Sequence, residues 1–186
     1  LPPIDPTAYI PGQAANDSDV VTPLDLTPYF TDPDTSDTLT LAIDPNDLPA
    51  GLSFDGTSIT GTLDPSASQG GVNGVYTIPV TVTDGNGGTF TTFVTYTVTN
   101  PDPVVVNDGV IEVTEDIPVV INVLENDIDE DPLTVTAVAG RPIAPGETVT
   151  LPSGSLVTLN PDGTLTYAPA ENLTGPEIFT YTVTDI

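Results

Sequence analysis

The side chains able to do chemistry in this sequence are almost all carboxylates. Asp plus Glu number 27 against a single base, Arg141, and His, Cys, Met and Trp are absent. Two loops repeat an Asp-x-Asp pattern: Asp32-Pro33-Asp34, followed by Asp37, and Asp127-Ile128-Asp129, followed by Asp131. Two carboxylates one residue apart can grasp one hard cation from a single tight loop. Carboxylates, backbone carbonyls and water are the ligands of Ca2+, about six to eight of them per ion. Neither loop is an EF-hand, because no Asp-x-Asp-x-Asp-Gly run with Glu at its end occurs.

The same inventory excludes other chemistry. Without His, Cys or Lys there is no thiol or Schiff-base former and no imidazole base. A structural zinc site would lack its sulfur and nitrogen ligands. A formal charge of -26 repels nucleic acid and anionic lipid, so neither is an expected partner. No apolar run reaches the roughly 18 residues of a membrane span, so no membrane insertion is expected. Paired carboxylates can act on glycosidic bonds, but these cluster in short loops with no apolar cleft signalled, so the chain reads as no enzyme. The absence of Cys leaves the redox compartment open. The chain opens at Leu1 with no signal peptide and reads as a piece of a longer protein.

The elements that must position these loops are strands. Thr occurs 31 times and Val 21 times, and both favour strands. Alternation is clear in 76–83, 93–99 and 178–184, where one side faces a core and the threonine side faces water. Pro79, inside the first of these, predicts an edge or a bulge. Phe54, Ile59, Leu63, Ile78, Val80 and Val82 read as core. Val119, Ile121, Leu124, Leu165, Tyr167, Phe179, Tyr181 and Val183 are the corresponding set later in the chain. Asp55-Gly56 and Asp162-Gly163 read as turn formers rather than ligands.

Landmarks recur in order. Asn16-Asp17 returns as Asn107-Asp108, Asp32–Leu41 as 127–135, Asp55-Gly56-Thr57 as Asp162-Gly163-Thr164, and Val82-Thr83-Asp84 as Val183-Thr184-Asp185. The repeat implies two homologous domains, 1–100 and 101–186, joined by the stiff connector Asn100-Pro101-Asp102-Pro103. Both read as Greek-key β-sandwiches. A strand matching 89–98 is not found after Asp185. The second sandwich is therefore expected to lack its last strand and to expose an edge suited to self-association.

On a seven-strand sandwich the acids are expected to converge at one end of each domain. Domain one would gather Asp17, Asp32, Asp34, Asp37 and Asp84. Domain two would gather Asp108, Asp127, Asp129, Asp131 and Asp185, with Asp102 on the connector. Calcium in the second cluster would fasten the connector and set the angle between the domains. The competing reading of these acids is a solvated surface, through halophilic adaptation or simple solubility.

Domain two resembles the cadherin-like repeats of bacterial surface proteins. The residues that carry this are Thr114-Glu115-Asp116, Asn122-Val123-Leu124-Glu125-Asn126-Asp127-Ile128-Asp129, Leu133-Thr134-Val135, 160–167 and 179–185. Domain one resembles the dystroglycan-type cadherin-like repeat through 48–55, Ile59-Thr60-Gly61-Thr62 and 82–88. The resemblance implies immunoglobulin/cadherin-like sandwiches from a large adhesin of the repeats-in-toxin type. It implies an extracellular or bacterial cell-surface location, and a stalk role in which neighbouring repeats are the partners and any surface or biofilm ligand is bound elsewhere in the parent. It implies calcium at Asp32, Asp34, Asp37 and Asp84, and at Asp127, Asp129, Asp131 and Asp185. The alternative function is a glycan- or protein-binding module, disfavoured by an aromatic content of 6% without Trp.

Overall fold

The computed structural model describes residues 9–34 and 36–185. The chain divides into two compact units, Leu1–Pro101 and Asp102–Ile186. Both are all-β sandwiches. Among the described residues there is no α-helix, only three short 3-10 turns in the first unit.

In the first unit, β1 (Gln13–Asn16), β7 (Thr89–Thr99), β6 (Val75–Thr83) and β3 (Thr40–Ala42) form one sheet in that order. The second sheet is β2 (Leu24–Asp25), β5 (Ser58–Gly61) and β4 (Leu52–Phe54). The hairpin of β6 and β7 dominates: all nine residues of β6 pair antiparallel with β7, from Val75↔Thr97 to Thr83↔Thr89. β1 adds in parallel on the other side of β7, with Asn16 opposite Thr99.

The alternation that predicts strands also sorts the core. Ile78, Val80 and Val82 of β6 and Val94 of β7 are fully buried, while the threonines between them are at least partly exposed. Ile59 and Leu63 are buried as expected, and Phe54 is half-buried against them. Leu26 and Tyr96 belong to the same core, Leu26 at the end of the short alternation Leu24-Asp25-Leu26. Pro79 pairs with Phe93. β3 stops at Ala42, opposite Thr81, so the proline faces an open edge, as its missing N–H requires.

In the second unit, β11 (Thr148–Thr150), β12 (Leu156–Leu159), β13 (Leu165–Ala168) and β8 (Val119–Ile121) form one sheet. β10 (Arg141–Pro142), β9 (Thr134–Val138) and β14 (Tyr181–Thr184) form the other. Val135, Val138, Val157, Leu159 and Leu165 are the core between them, with Tyr167 buried beside them and stacked on Phe179 at 5.9 Å. Val119, Ile121, Leu124, Phe179, Tyr181 and Val183 are only half-buried. Among the described residues β14 pairs with β9 alone.

The segment Leu48-Pro49-Ala50-Gly51-Leu52 works through backbone approach. Gly51 has φ +90, and a Cβ there would lie 2.0 Å from the Thr62 carbonyl oxygen and 2.8 Å from the Asp64 nitrogen. That approach lets Asp64 N donate to the Ala50 carbonyl at 2.9 Å and close the β4–β5 sheet. Gly56, at φ +102, meets nothing within 4 Å. Gly56→Ala is therefore expected to cost only the backbone strain, about 1–2 kcal/mol. Gly51→Ala adds a steric clash with backbone that cannot move aside, and is expected to cost about 3 kcal/mol or more. Urea unfolding of the two variants checks the order; equal losses would contradict the tight approach.

Candidate metal centre

The Asp32–Asp37 loop is held between two fixed points. On one side Phe30 is buried in the first unit's core. On the other, Thr40 starts β3 opposite Thr83. In between, Asp34 N donates to Asp32 Oδ1 at 2.7 Å, and Asp37 N donates to the Asp34 carbonyl at 2.9 Å. These turns fold the loop back on itself. One carboxylate oxygen each from Asp32, Asp34 and Asp37 then lies within 4.8 Å of the others. Two oxygens each about 2.4 Å from a shared Ca2+ can be no further apart than that, so the three can reach one ion. Asp32 Oδ2 is buried with no hydrogen-bond partner. Three carboxylates this close with no basic side chain among them repel one another, and a hard cation relieves that repulsion directly.

Asp84 follows β6 at the same end of the sheet. It is 4% exposed and accepts from Asn86 N at 2.7 Å and Gly88 N at 2.9 Å. The bond from Asn86 N is the main reason its carboxyl sits below the usual carboxylate range.

Asp17 corrects the expectation that all of these acids converge. Its N–H donates to the Thr99 carbonyl at 2.9 Å, whereas Asp84 follows Thr83, the partner of Thr89. Ten residue steps of β7 separate these levels, about 33 Å of extended strand. The physical reason is the parallel β1–β7 pairing, which carries the end of β1 to the connector end of the sheet. There Asp17 is 1% exposed; Oδ1 accepts from Ser68 N at 2.7 Å, and Oδ2 is buried without a partner. A buried carboxylate oxygen with nothing to accept from is a costly group.

The second unit arranges its acids differently. Among the described residues, Asp32, Asp34 and Asp37 are the one group of three acids whose ligand atoms converge. Asp102 is exposed. Asp127 Oδ1 accepts from Val106 N at 2.8 Å and Oδ2 from the Tyr181 hydroxyl at 3.2 Å. Asp129 Oδ1 accepts from Asp131 N at 2.7 Å, and Asp131 is 5% exposed. Asp108 and Asp185 are half-buried. The one proton of the Tyr181 hydroxyl is shared between Asp127 Oδ2 and the Val123 carbonyl, the latter at 2.9 Å. Burial, then the charges of Asp108 and Asp127, push its pKa well above that of an ordinary phenol.

Two features went unread in the sequence. The Tyr181 hydroxyl is one: the side chain reads as core, and the signal available for its polar contact is that it stands where the first repeat has Val80. The other is a polar cluster of Ser153, Ser155, Tyr167 and Glu177. Tyr167 OH donates to Glu177 Oε2 at 2.6 Å, and Ser153 Oγ donates to Oε1 of the same carboxylate. Burial raises the Glu177 pKa, but these hydrogen bonds outweigh it and hold the group low. Asp55 and Asp162 cap their own turns through Thr57 and Thr164, as the Asp-Gly pairs predict.

Residues 5–99 match a family model described as "Putative Ig domain", and residues 100–186 match one described as "Bacterial Ig domain". A search of curated proteins gives no match. Among solved structures, the ectodomain of human desmocollin-1 is 14% identical, with a TM-score of 0.38 over 97% of this chain and 34% of that one. The chain thus spans about a third of that structure's length. No helix among the described residues is long and apolar enough to cross a membrane.

A carboxyl whose folded pKa lies below its unfolded value, near 3.8 for Asp84, stabilises the fold above that value. The contribution is lost as pH falls through the folded pKa. The stability gap between the wild type and Asp84→Ala, read by urea unfolding, is therefore expected to stay flat from pH 7 to about pH 5 and to narrow below about pH 4. A gap that widens on acidification would contradict the turn as its source.

Proposed function

The chain belongs to the Ig-domain family, whose model covers just over half of it at residues 5–99, and on that premise we propose that it is a non-catalytic, calcium-stabilised spacer of a large secreted bacterial adhesin. The observation that carries this reading is the Asp32, Asp34 and Asp37 cluster, with ligand oxygens within 4.8 Å and Asp32 Oδ2 buried without a partner. A charge of -26 on 186 residues supports it further. So many like charges destabilise a compact body unless counter-ions gather on it, and bound divalent cations do so at fixed points. Calcium is a hard, oxygen-seeking ion tolerant of irregular shells, which suits a flexible acidic loop.

In this reading Asp32, Asp34 and Asp37 hold the ion, with backbone carbonyls and water completing its shell. Asp84 anchors the neighbouring turn, and Asp17 Oδ2 is a second, separate point of cation demand at the connector end. The acids of the second unit, Asp102, Asp108, Asp127, Asp129, Asp131 and Asp185, are the further positions at which calcium would act. Function then lies in stiffness, length and protease resistance rather than in a pocket. Neighbouring repeats are the natural partners, outside the cell or on its surface.

Thermal unfolding in EDTA and across a calcium titration, with magnesium at matched ionic strength, tests this. A saturable calcium-specific rise in Tm is expected, about 2.7 kcal/mol of stabilisation at a hundredfold excess over Kd. Asp34→Asn should shift the titration midpoint to higher calcium by about tenfold or more. An equal effect of magnesium or sodium would reduce the acids to a screened surface field and sink the proposal.

A further inference from the structure

Asn-Gly pairs carry a reaction of their own. The backbone nitrogen that follows an asparagine can attack the side-chain amide carbon and close a five-membered ring. The rate of such an intramolecular step depends on how freely the two atoms can meet. Glycine favours it, having no Cβ to hold them apart. A backbone N–H already spent on a hydrogen bond, or a peptide fixed by a neighbouring strand, opposes it. The chain has two such pairs, Asn73-Gly74 and Asn86-Gly87, and both asparagines are exposed.

The fold treats the two pairs differently. Gly74 is buried. Its N–H donates to the Gly70 carbonyl at 3.1 Å, and its own carbonyl accepts from Val98 N at 2.9 Å. A Cβ on Gly74 would lie 2.2 Å from the Val98 carbonyl oxygen, so β7 leaves this peptide no room to turn. Gly87 lies in the turn between β6 and β7 and is exposed. A Cβ on Gly87 would meet nothing within 4 Å. Among the described residues its N–H donates to no acceptor, and the Asn86 side-chain amide makes no hydrogen bond. The turn is held instead on either side of it, where Asn86 N and Gly88 N donate to Asp84 Oδ1 at 2.7 and 2.9 Å.

We propose that Asn86 is a site of spontaneous covalent modification, converting to isoaspartate and aspartate in the folded chain while Asn73 is protected. Gly87 N bonds to Asn86 Cγ and the Cγ–Nδ2 bond breaks. The proton of the Gly87 N–H leaves with the departing amide as ammonia. Water then opens the ring. Attack at Cγ gives aspartate; attack at the Asn86 main-chain carbonyl gives isoaspartate, in which the backbone runs through the side chain. No reactant other than water is needed, and the loss of ammonia makes the change one-way. Isoaspartate adds one carbon to the backbone between Asn86 N and Gly88 N. Both donors then cannot keep their places on Asp84 Oδ1, and a buried carboxylate loses part of its support. Either product also adds a negative charge to a chain that already carries -26. The proposal is independent of calcium.

The test follows the full chain by peptide mapping during long incubation at neutral and mildly alkaline pH, folded and in urea. In the folded chain the Asn86 peptide is expected to gain the mass of an acid in place of an amide at least about tenfold faster than the Asn73 peptide. The rate should rise with pH, because the attacking nitrogen must lose its proton. Isoaspartate should be present, read by methyl transfer from an isoaspartate-specific methyltransferase. In urea the two sites should react at similar rates. Asn86→Gln, which can close only a slower six-membered ring, should remove the reaction at this position. It should also remove the fall in Tm that the wild type shows on incubation. Equal rates at the two sites in the folded chain would mean that sequence alone sets the reaction and would overturn the proposal. So would an Asn86 that reacts in urea but not in the fold, or aspartate formed without isoaspartate, which would mean direct hydrolysis. A fully modified chain with an unchanged Tm would overturn the link to the Asp84 turn.

Discussion

A chain with 27 acids and one base cannot satisfy its carboxylates with ion pairs. They are left to water or accept from the backbone, and much of the loop structure follows from the second choice. Asp25, Asp32, Asp44, Asp55, Asp64, Asp84, Asp129 and Asp162 each accept from the N–H two residues on. This side-chain turn mimics a backbone turn and fixes the direction in which the chain leaves a strand. Donors aimed at an ionised carboxylate also favour the charged form, so Asp55, Asp64, Asp84 and Asp162 all sit below their ordinary pKa. The acids are thus the turn-forming residues of the sandwich as well as its charge.

Between those turns the sandwiches depend on strand pairs rather than on local propensity. β7 is the clearest case. It carries β1 on one side and β6 on the other, and it supplies Val94, Tyr96 and Val98 to the core. The second unit holds its core with Tyr167 and Phe179 stacked, and with a hydrogen-bonded group of two serines, a tyrosine and a glutamate at the end of that stack. A polar group of this kind is stabilising only when its members are all paired. Here the Glu177 carboxylate receives both hydroxyls, and Ser155 Oγ accepts from Ala170 N.

How much of this was legible in the sequence follows from the range of each interaction. Alternation over 76–83 gives the buried face of β6, because the side chains of a strand alternate whatever its partner is. Asp-Gly pairs give their turns, because the conformation is decided within four residues. Asp32, Asp34 and Asp37 are readable as one group for the same reason. The place of Asp17 is not local. It depends on β1 joining β7 in parallel across more than 80 residues of chain, and an antiparallel join would have put it at the other end. Leu26 is fully buried, but the three-residue alternation Leu24-Asp25-Leu26 is too short to mark a strand by itself.

The two Asp-x-Asp loops look alike in sequence and differ in what remains for a cation. Asp32 spends Oδ1 on the N–H of Asp34 and leaves Oδ2 buried and unpartnered. Asp127 spends Oδ1 on Val106 N, and the Tyr181 hydroxyl takes Oδ2. At Oδ2 the difference traces to one side chain. The first repeat has Val80 where the second has Tyr181, and valine brings no hydroxyl to the loop. An ion at Asp127 must therefore compete with the Val106 N–H at Oδ1 and, at Oδ2, with a phenol proton shared with the Val123 carbonyl, whereas an ion at Asp32 meets an oxygen with nothing to give up. Equal counts of acids in two loops do not imply equal demand for a metal; the oxygens already engaged by the fold set that demand.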